Sequence, residues 1–114
     1  MIKHKEDMRV EMRDRIRGGE GTLHCVNLLE KAECFGKVNY CAIMTLEPGQ
    51  SIGLHPHGPD AEIYYLLEWS LETNDNGVDT IFHTGDVMFT CNGETHSVRN
   101  AGQVTAKVLS VVIA

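Results

Sequence analysis

From about Thr22 to the C-terminus, apolar and polar residues alternate with a period of two in short segments separated by turn-forming clusters. In Val38 to Leu46, Val38, Tyr40, Ala42 and Met44 share one face, while Asn39, Cys41, Ile43 and Thr45 share the other, because successive side chains of a strand point to opposite sides. Glu62 to Trp69 divides in the same way, with Glu62, Tyr64, Leu66 and Glu68 against Ile63, Tyr65, Leu67 and Trp69. Turn signals recur every 8 to 12 residues, at Pro48-Gly49, Gly58-Pro59-Asp60, Asn76-Gly77, Gly85-Asp86, Asn92-Gly93 and Asn100-Ala101-Gly102. That rhythm predicts an all-β sandwich or barrel. Asn76-Gly77 suits a type I′ hairpin turn into Val78 to Phe82. Val104 to Ile113, nearly continuous in β-branched and apolar residues, reads as a strand covered on both faces.

Residues 1–20 differ in texture. They are charged, and Met8, Met12 and Ile16 recur at i, i+4, which predicts a helical turn or two stopped by Gly18-Gly19. The chain therefore divides into an N-terminal arm, 1–20, and a barrel domain, 21–114. A chain of 114 residues can bury enough surface to fold without a structural metal. The formal charge of −6 is uneven: residues 1–17 carry six basic and four acidic side chains, and the remainder four basic and twelve acidic. An acidic body repels phosphate backbones and anionic membranes, so neither is an expected partner. No window approaches the length of an apolar membrane span, and the first residues lack the apolar stretch of a signal peptide, which predicts a cytoplasmic protein. Cys25, Cys34, Cys41 and Cys91 show no zinc-site spacing and read as thiols, mostly buried.

The candidate chemistry lies in His55-Pro56-His57, in Glu62 five residues on, and in His96. On a strand, residues two apart face one side, so His55 and His57 can address one point. Glu62 follows a Gly-Pro-Asp turn that returns the chain beside them. With His96 alongside, three imidazoles and a carboxylate form a donor set suited to Mn, Fe, Co, Ni or Zn, with positions left open for water or ligand.

These residues resemble the two signature motifs of the cupin superfamily, G-x5-H-x-H-x3,4-E-x6-G and G-x5-P-x-G-x2-H-x3-N. Gly49, His55, His57 and Glu62 match the first, and Gly85, Gly93, His96 and Asn100 the second. Trp69 stands where the first motif ends in glycine, and Cys91 where the second has proline. The resemblance implies a double-stranded β-helix, or cupin jelly-roll barrel, with His55, His57, Glu62 and His96 as metal ligands. It also implies a preference for Mn or Fe, with Zn, Ni or Co as further fits, and a homodimer. An inward Glu62 then predicts that Tyr64 lines the cavity while Tyr65 and Trp69 pack outside it.

Other polar residues read as ordinary surface. His4, His24 and His83 have no partner pattern, and Arg99 falls on the outward alternation from His96. Arg9, Arg13, Arg15 and Arg17 read as a solvated face paired with Glu6, Asp7, Glu11 and Asp14, the alternative being closure over an anionic ligand at the barrel mouth. Asp60 and Glu94 read as solvated loop carboxylates, and no residue identifies itself as a catalytic acid or base. The arm followed by a compact barrel is similar to small oxalate-decarboxylase-like proteins, which implies an enzyme acting on a small carboxylate or other chelating substrate, with a decarboxylase, dioxygenase or isomerase all open. The alternative is a metal-dependent binding or sensing module without turnover.

Overall fold

The computed structural model describes all 114 residues. Ten strands follow in order: β1 (Arg9–Asp14), β2 (Thr22–Asn27), β3 (Val38–Leu46), β4 (Ser51–His57), β5 (Ala61–Glu68), β6 (Ser70–Asp75), β7 (Val78–His83), β8 (Val87–Thr90), β9 (Glu94–Arg99) and β10 (Ala106–Ile113). They form two antiparallel sheets, a six-stranded one ordered β1-β2-β3-β10-β5-β8 and a four-stranded one ordered β4-β9-β6-β7. The all-β double-stranded helix expected from the turn rhythm and the motifs is the architecture found.

The predicted faces of β3 and β5 hold. Ala42, Met44 and Leu46 are buried on one side of β3, and Glu62, Tyr64 and Leu66 on one side of β5. Of these, Met44, Leu46, Tyr64 and Leu66 join Leu23, Ile52, Leu71, Val98 and Val108 in one core between the sheets, which removes their apolar surface from water. Asn76 and Gly77, both with positive φ, make the β6–β7 hairpin turn, as the type I′ geometry requires.

Three expectations change. The helical turns expected between Met8 and Ile16 are replaced by β1, which pairs with β2 from Arg9↔Asn27 to Asp14↔Thr22. The i, i+4 methionine spacing carried too little apolar surface to outweigh the ladder of hydrogen bonds that β2 offers. The last strand is covered on its inner face only: Ala106, Val108 and Ser110 are buried, while Lys107, Leu109 and Val111 are half-buried. Of the cysteines only Cys25 is buried; Cys34, Cys41 and Cys91 are half-buried, and all four are free thiols. The Gly58-Pro59-Asp60 turn carries the chain from one sheet to the other, so β4 and β5 do not pair and Glu62 comes to face the imidazoles as expected.

The close approach of the arm to the barrel depends on glycine. A Cβ on Gly19 would lie 2.2 Å from the Ser51 carbonyl oxygen, and one on Gly53 2.1 Å from that of Arg17. The turn at Ile16–Gly18 therefore lies directly on β4, the strand that carries two of the histidines.

Candidate metal centre

β4 is an edge strand, which accommodates Pro56 between the two histidines although it has no N–H to give. His55 and His57 turn inward, and β9 sets His96 directly opposite His55. From the facing sheet β5 supplies Glu62, so the four residues meet between the layers and all four are buried. The structure thus brings together every residue of the predicted set. His55 Nε2 lies 3.1 Å from Nε2 of both His57 and His96. Glu62 Oε1 lies 2.8 Å from His57 Nε2, 2.9 Å from His96 Nε2 and 3.9 Å from His55 Nε2.

The outer ring nitrogens are held. His55 Nδ1 donates to the Gly53 carbonyl at 2.7 Å, His57 Nδ1 donates to Asp60 at 3.0 Å, and His96 Nδ1 meets the Thr90 hydroxyl at 2.9 Å. A neutral imidazole has one N–H. With that proton placed at Nδ1, the Nε2 atoms of His55 and His57 present lone pairs to one another and to a carboxylate oxygen. Such an arrangement is repulsive unless a cation lies among the donors. The spacing fits one: an octahedral ion with bonds of about 2.1 Å has cis donors about 3.0 Å apart and trans donors about 4.2 Å apart, whereas a regular tetrahedron sets every pair near about 3.4 Å. Four of the separations are cis-like, and the 3.9 Å between His55 and Glu62 approaches the trans value. The donor set and its spacing suit a six-coordinate divalent ion with two positions open.

Glu62 is held on both sides. Ser110 on β10 donates to its second oxygen at 2.5 Å. Burial works against its charge, but when no ion lies among the donors, rings of His55 and His96 that carry a proton on Nε2 donate to it, and with the Ser110 hydroxyl they outweigh burial and hold the carboxyl well below the usual range. Tyr64 stacks on His96 with ring centroids 4.7 Å apart, and burial followed by the charge of Glu62 holds its phenol well above the ordinary value. Ser110 and Thr90 escaped the sequence reading, although each is a hydroxyl on the inward alternation of an apolar strand, which is the signal that marks them. Asp60, expected to be merely solvated, instead orients His57.

A cavity of about 350 Å³ opens over His55, His57 and Glu62. Tyr64, Ile52 and Met44 line its inner part, and Arg9, Arg13, Arg17 and Tyr40 its outer part. Tyr65 and Trp69 lie outside the barrel, 41% and 45% exposed, as the alternation from Glu62 predicts. His4, His24 and His83 are exposed and away from the centre, and Arg99 points outward near Glu72.

Both motif departures have structural answers. Trp69 keeps a glycine-like left-handed backbone at φ 69°, and its indole packs where a Cβ on Gly102 would otherwise stand. Cys91 precedes an Asn92-Gly93 turn with positive φ at both residues, and the Gly93 amide closes the site by donating to the His57 carbonyl at 2.7 Å.

The family model of the cupin domain matches residues 42–112, most of the barrel and all four residues of the centre. The chain is a cupin. It is 38% identical over 113 residues to an oxalate-binding protein of Thermotoga maritima, covering 99% of this chain and 93% of that protein. A solved Thermotoga maritima structure described as a predicted oxalate decarboxylase superimposes on this cupin with a TM-score of 0.92 at 38% identity, over 99% of this chain and 98% of that one. The polyketide cyclase RemF of Streptomyces resistomycificus, with a TM-score of 0.77 at 23% identity over 99% of this chain and 80% of its own, shares the fold.

Proposed function

We propose that this cupin binds a small carboxylate, of which oxalate is the leading example, at a divalent metal held by His55, His57, Glu62 and His96, and that it acts on that ligand as an enzyme. The observation that carries the reading is the convergence of three imidazole nitrogens and one carboxylate oxygen at donor spacings that fit a six-coordinate ion. Likeness along nearly the whole chain to an oxalate-binding protein supports the choice of ligand. The six-coordinate spacing favours manganese or iron over tetrahedral zinc, with nickel and cobalt also accommodated. When bound, such an ion supplies Lewis acidity to a carboxylate oxygen. The chain's own residues do the rest: Gly53, Asp60 and Thr90 fix the rings, Ser110 fixes Glu62, and Tyr64 and Ile52 wall the site against water.

Binding without turnover is the second reading, and one observation favours it. A decarboxylase needs a proton donor over its substrate, yet Asp60 is committed to His57 and Glu62 to the centre. Purification without chelator, metal analysis and a screen of small carboxylates by thermal shift and product formation test both readings. Oxalate stabilises the manganese-loaded protein; product formation selects the enzyme, and stabilisation without product the binding module. Absence of metal after reconstitution with Mn, Fe and Zn refutes both.

The functional unit is proposed to be a homodimer joined through the outer face of the six-stranded sheet. Two adjacent apolar rows cross it in register, Ile43–Leu109–Tyr65–Val87 and Cys41–Val111–Ile63–Phe89. Val87 is 67% and Phe89 55% exposed in the single chain, an apolar patch of the kind that a second subunit covers.

A further inference from the structure

The cavity above the centre has a second cationic end. Arg9, Arg13 and Arg17 line it together with Glu11, but the three cations are not equivalent, Arg17 being exposed on the turn that precedes β2. Arg9 is occupied by Glu30 at 3.0 Å and lies 3.7 Å from Glu11. Arg15, which does not line the cavity, lies 3.9 Å from Asp14. Arg13 makes no ion pair, although Glu11 two residues back on the same strand bears on its charge; half-buried, it reaches from β1 over β2 and sets its guanidinium 5.1 Å from the centroid of the Tyr40 ring on β3. The Tyr40 hydroxyl is buried between the Arg13 guanidinium and the Cys25 thiol and makes no hydrogen bond of good geometry to either, an expensive state for a polar atom in a folded protein unless a ligand or water completes it. Burial pushes this phenol up to about 12, so it remains a neutral donor. The solvated arginine face expected from the sequence therefore holds for Arg9 and Arg15 and fails for Arg13.

We infer that Arg13 and the Tyr40 hydroxyl form an anion-recognising wall opposite the four-residue centre and select a small dicarboxylate over a monocarboxylate. The inference rests on the metal-and-carboxylate reading above and names the residues of the same cavity that would set its specificity. The physical logic is bipolar. A divalent ion held by the four residues would take carboxylate oxygens, and the half-buried Arg13 guanidinium at the rim, free of an ion pair, rewards a ligand whose remaining oxygens also carry charge. Residues 18–114 carry a net −8, so without a local cation the barrel repels a dianion more than a monoanion. Arg13 supplies that cation within the cavity. Size is permissive: about 350 Å³ holds roughly ten waters, ample for a dicarboxylate of two or three carbons. The arm thus becomes part of the binding site, tied down where Arg17 packs against Gly53.

The test uses the full chain loaded with manganese, titrated calorimetrically with oxalate, malonate and acetate. Arg13→Met keeps the aliphatic stem over Tyr40 and removes the charge. It should lower affinity for oxalate and malonate about ten- to a hundredfold while changing acetate little and leaving metal content at the wild-type value. Arg13→Lys restores charge without the planar fork and should fall between. Tyr40→Phe removes one hydroxyl and should weaken the dicarboxylates several-fold. Dicarboxylate affinity within twofold of wild type in both Arg13 variants overturns this inference and leaves the metal-carboxylate reading standing. An equal loss for acetate, or a loss of metal, also overturns it, since Arg13 then supports the centre without selecting the ligand. Failure of the loaded wild-type protein to bind any carboxylate overturns both.

Discussion

Replacing Asp60 by alanine removes the group that orients His57 and leaves every donor atom of the centre in place. Asp60 Oδ1 accepts the His57 Nδ1 proton at 3.0 Å and also lies 3.2 Å from the Gly58 amide. Partners of this kind fix the tautomer and raise the basicity of the ring, and their loss generally lowers metal affinity about ten- to a hundredfold. The structure places Asp60 at the low end of that range. Its side chain is 36% exposed while that of His57 is 5% exposed, so water can enter on the Asp60 side and accept the orphaned proton. The expected loss is therefore about tenfold, or about 1.4 kcal/mol of binding free energy. Competition between apo-protein and a chromophoric chelator for Mn²⁺ or Zn²⁺ measures it directly, with circular dichroism melts of the apo-protein as the control for folding. Thr90→Val supplies the contrast. Thr90 and His96 are 1% and 0% exposed, no water can replace the hydroxyl, and the loss in metal affinity should exceed that of Asp60→Ala. Metal affinity within twofold of wild type in both variants refutes the idea that the outer ring nitrogens set the centre.

Further measurements address the fold that carries the site. His57→Ala should abolish metal binding while preserving the β-sheet circular dichroism spectrum, because the core of Leu23, Met44, Leu66 and Val108 does not include the centre; an unfolded variant would make the metal structural. Gly53→Ala sets a Cβ 2.1 Å from the Arg17 carbonyl oxygen and should destabilise by about 1–3 kcal/mol in urea titrations through a backbone clash that no rotamer relieves. Asn100→Ala leaves the Leu46 and Val104 carbonyls and the Gly102 amide without their partner, for an expected loss of about 2–4 kcal/mol. Phe89→Glu places a charge within the apolar rows of the outer sheet face and should yield monomers by light scattering, with the metal stoichiometry per chain unchanged.

What lay open in the sequence was local or periodic. Strand alternation fixed which side of β3 and β5 faces inward, and the same alternation placed Tyr64 within and Trp69 outside once Glu62 was taken as inward. His-x-His on one strand gave two donors facing one way, because a period of two is a property of the extended chain and needs no tertiary information. The arm was misread for the converse reason. Met8, Met12 and Ile16 repeat at helical spacing, but whether a short segment becomes a helix or a strand depends on the edge available to it, and only the folded barrel shows that β2 offers one. The placement of Glu62 on the opposite sheet, the turning of Ser110 onto Glu62, and the reach of Arg13 over β2 to Tyr40 all join residues far apart along the chain. No periodicity encodes such contacts. The sequence by itself determined which chemistry is present and the class of scaffold that carries it; the tertiary structure decided which groups orient that chemistry and which cations face it, because those depend on how two sheets close on one another.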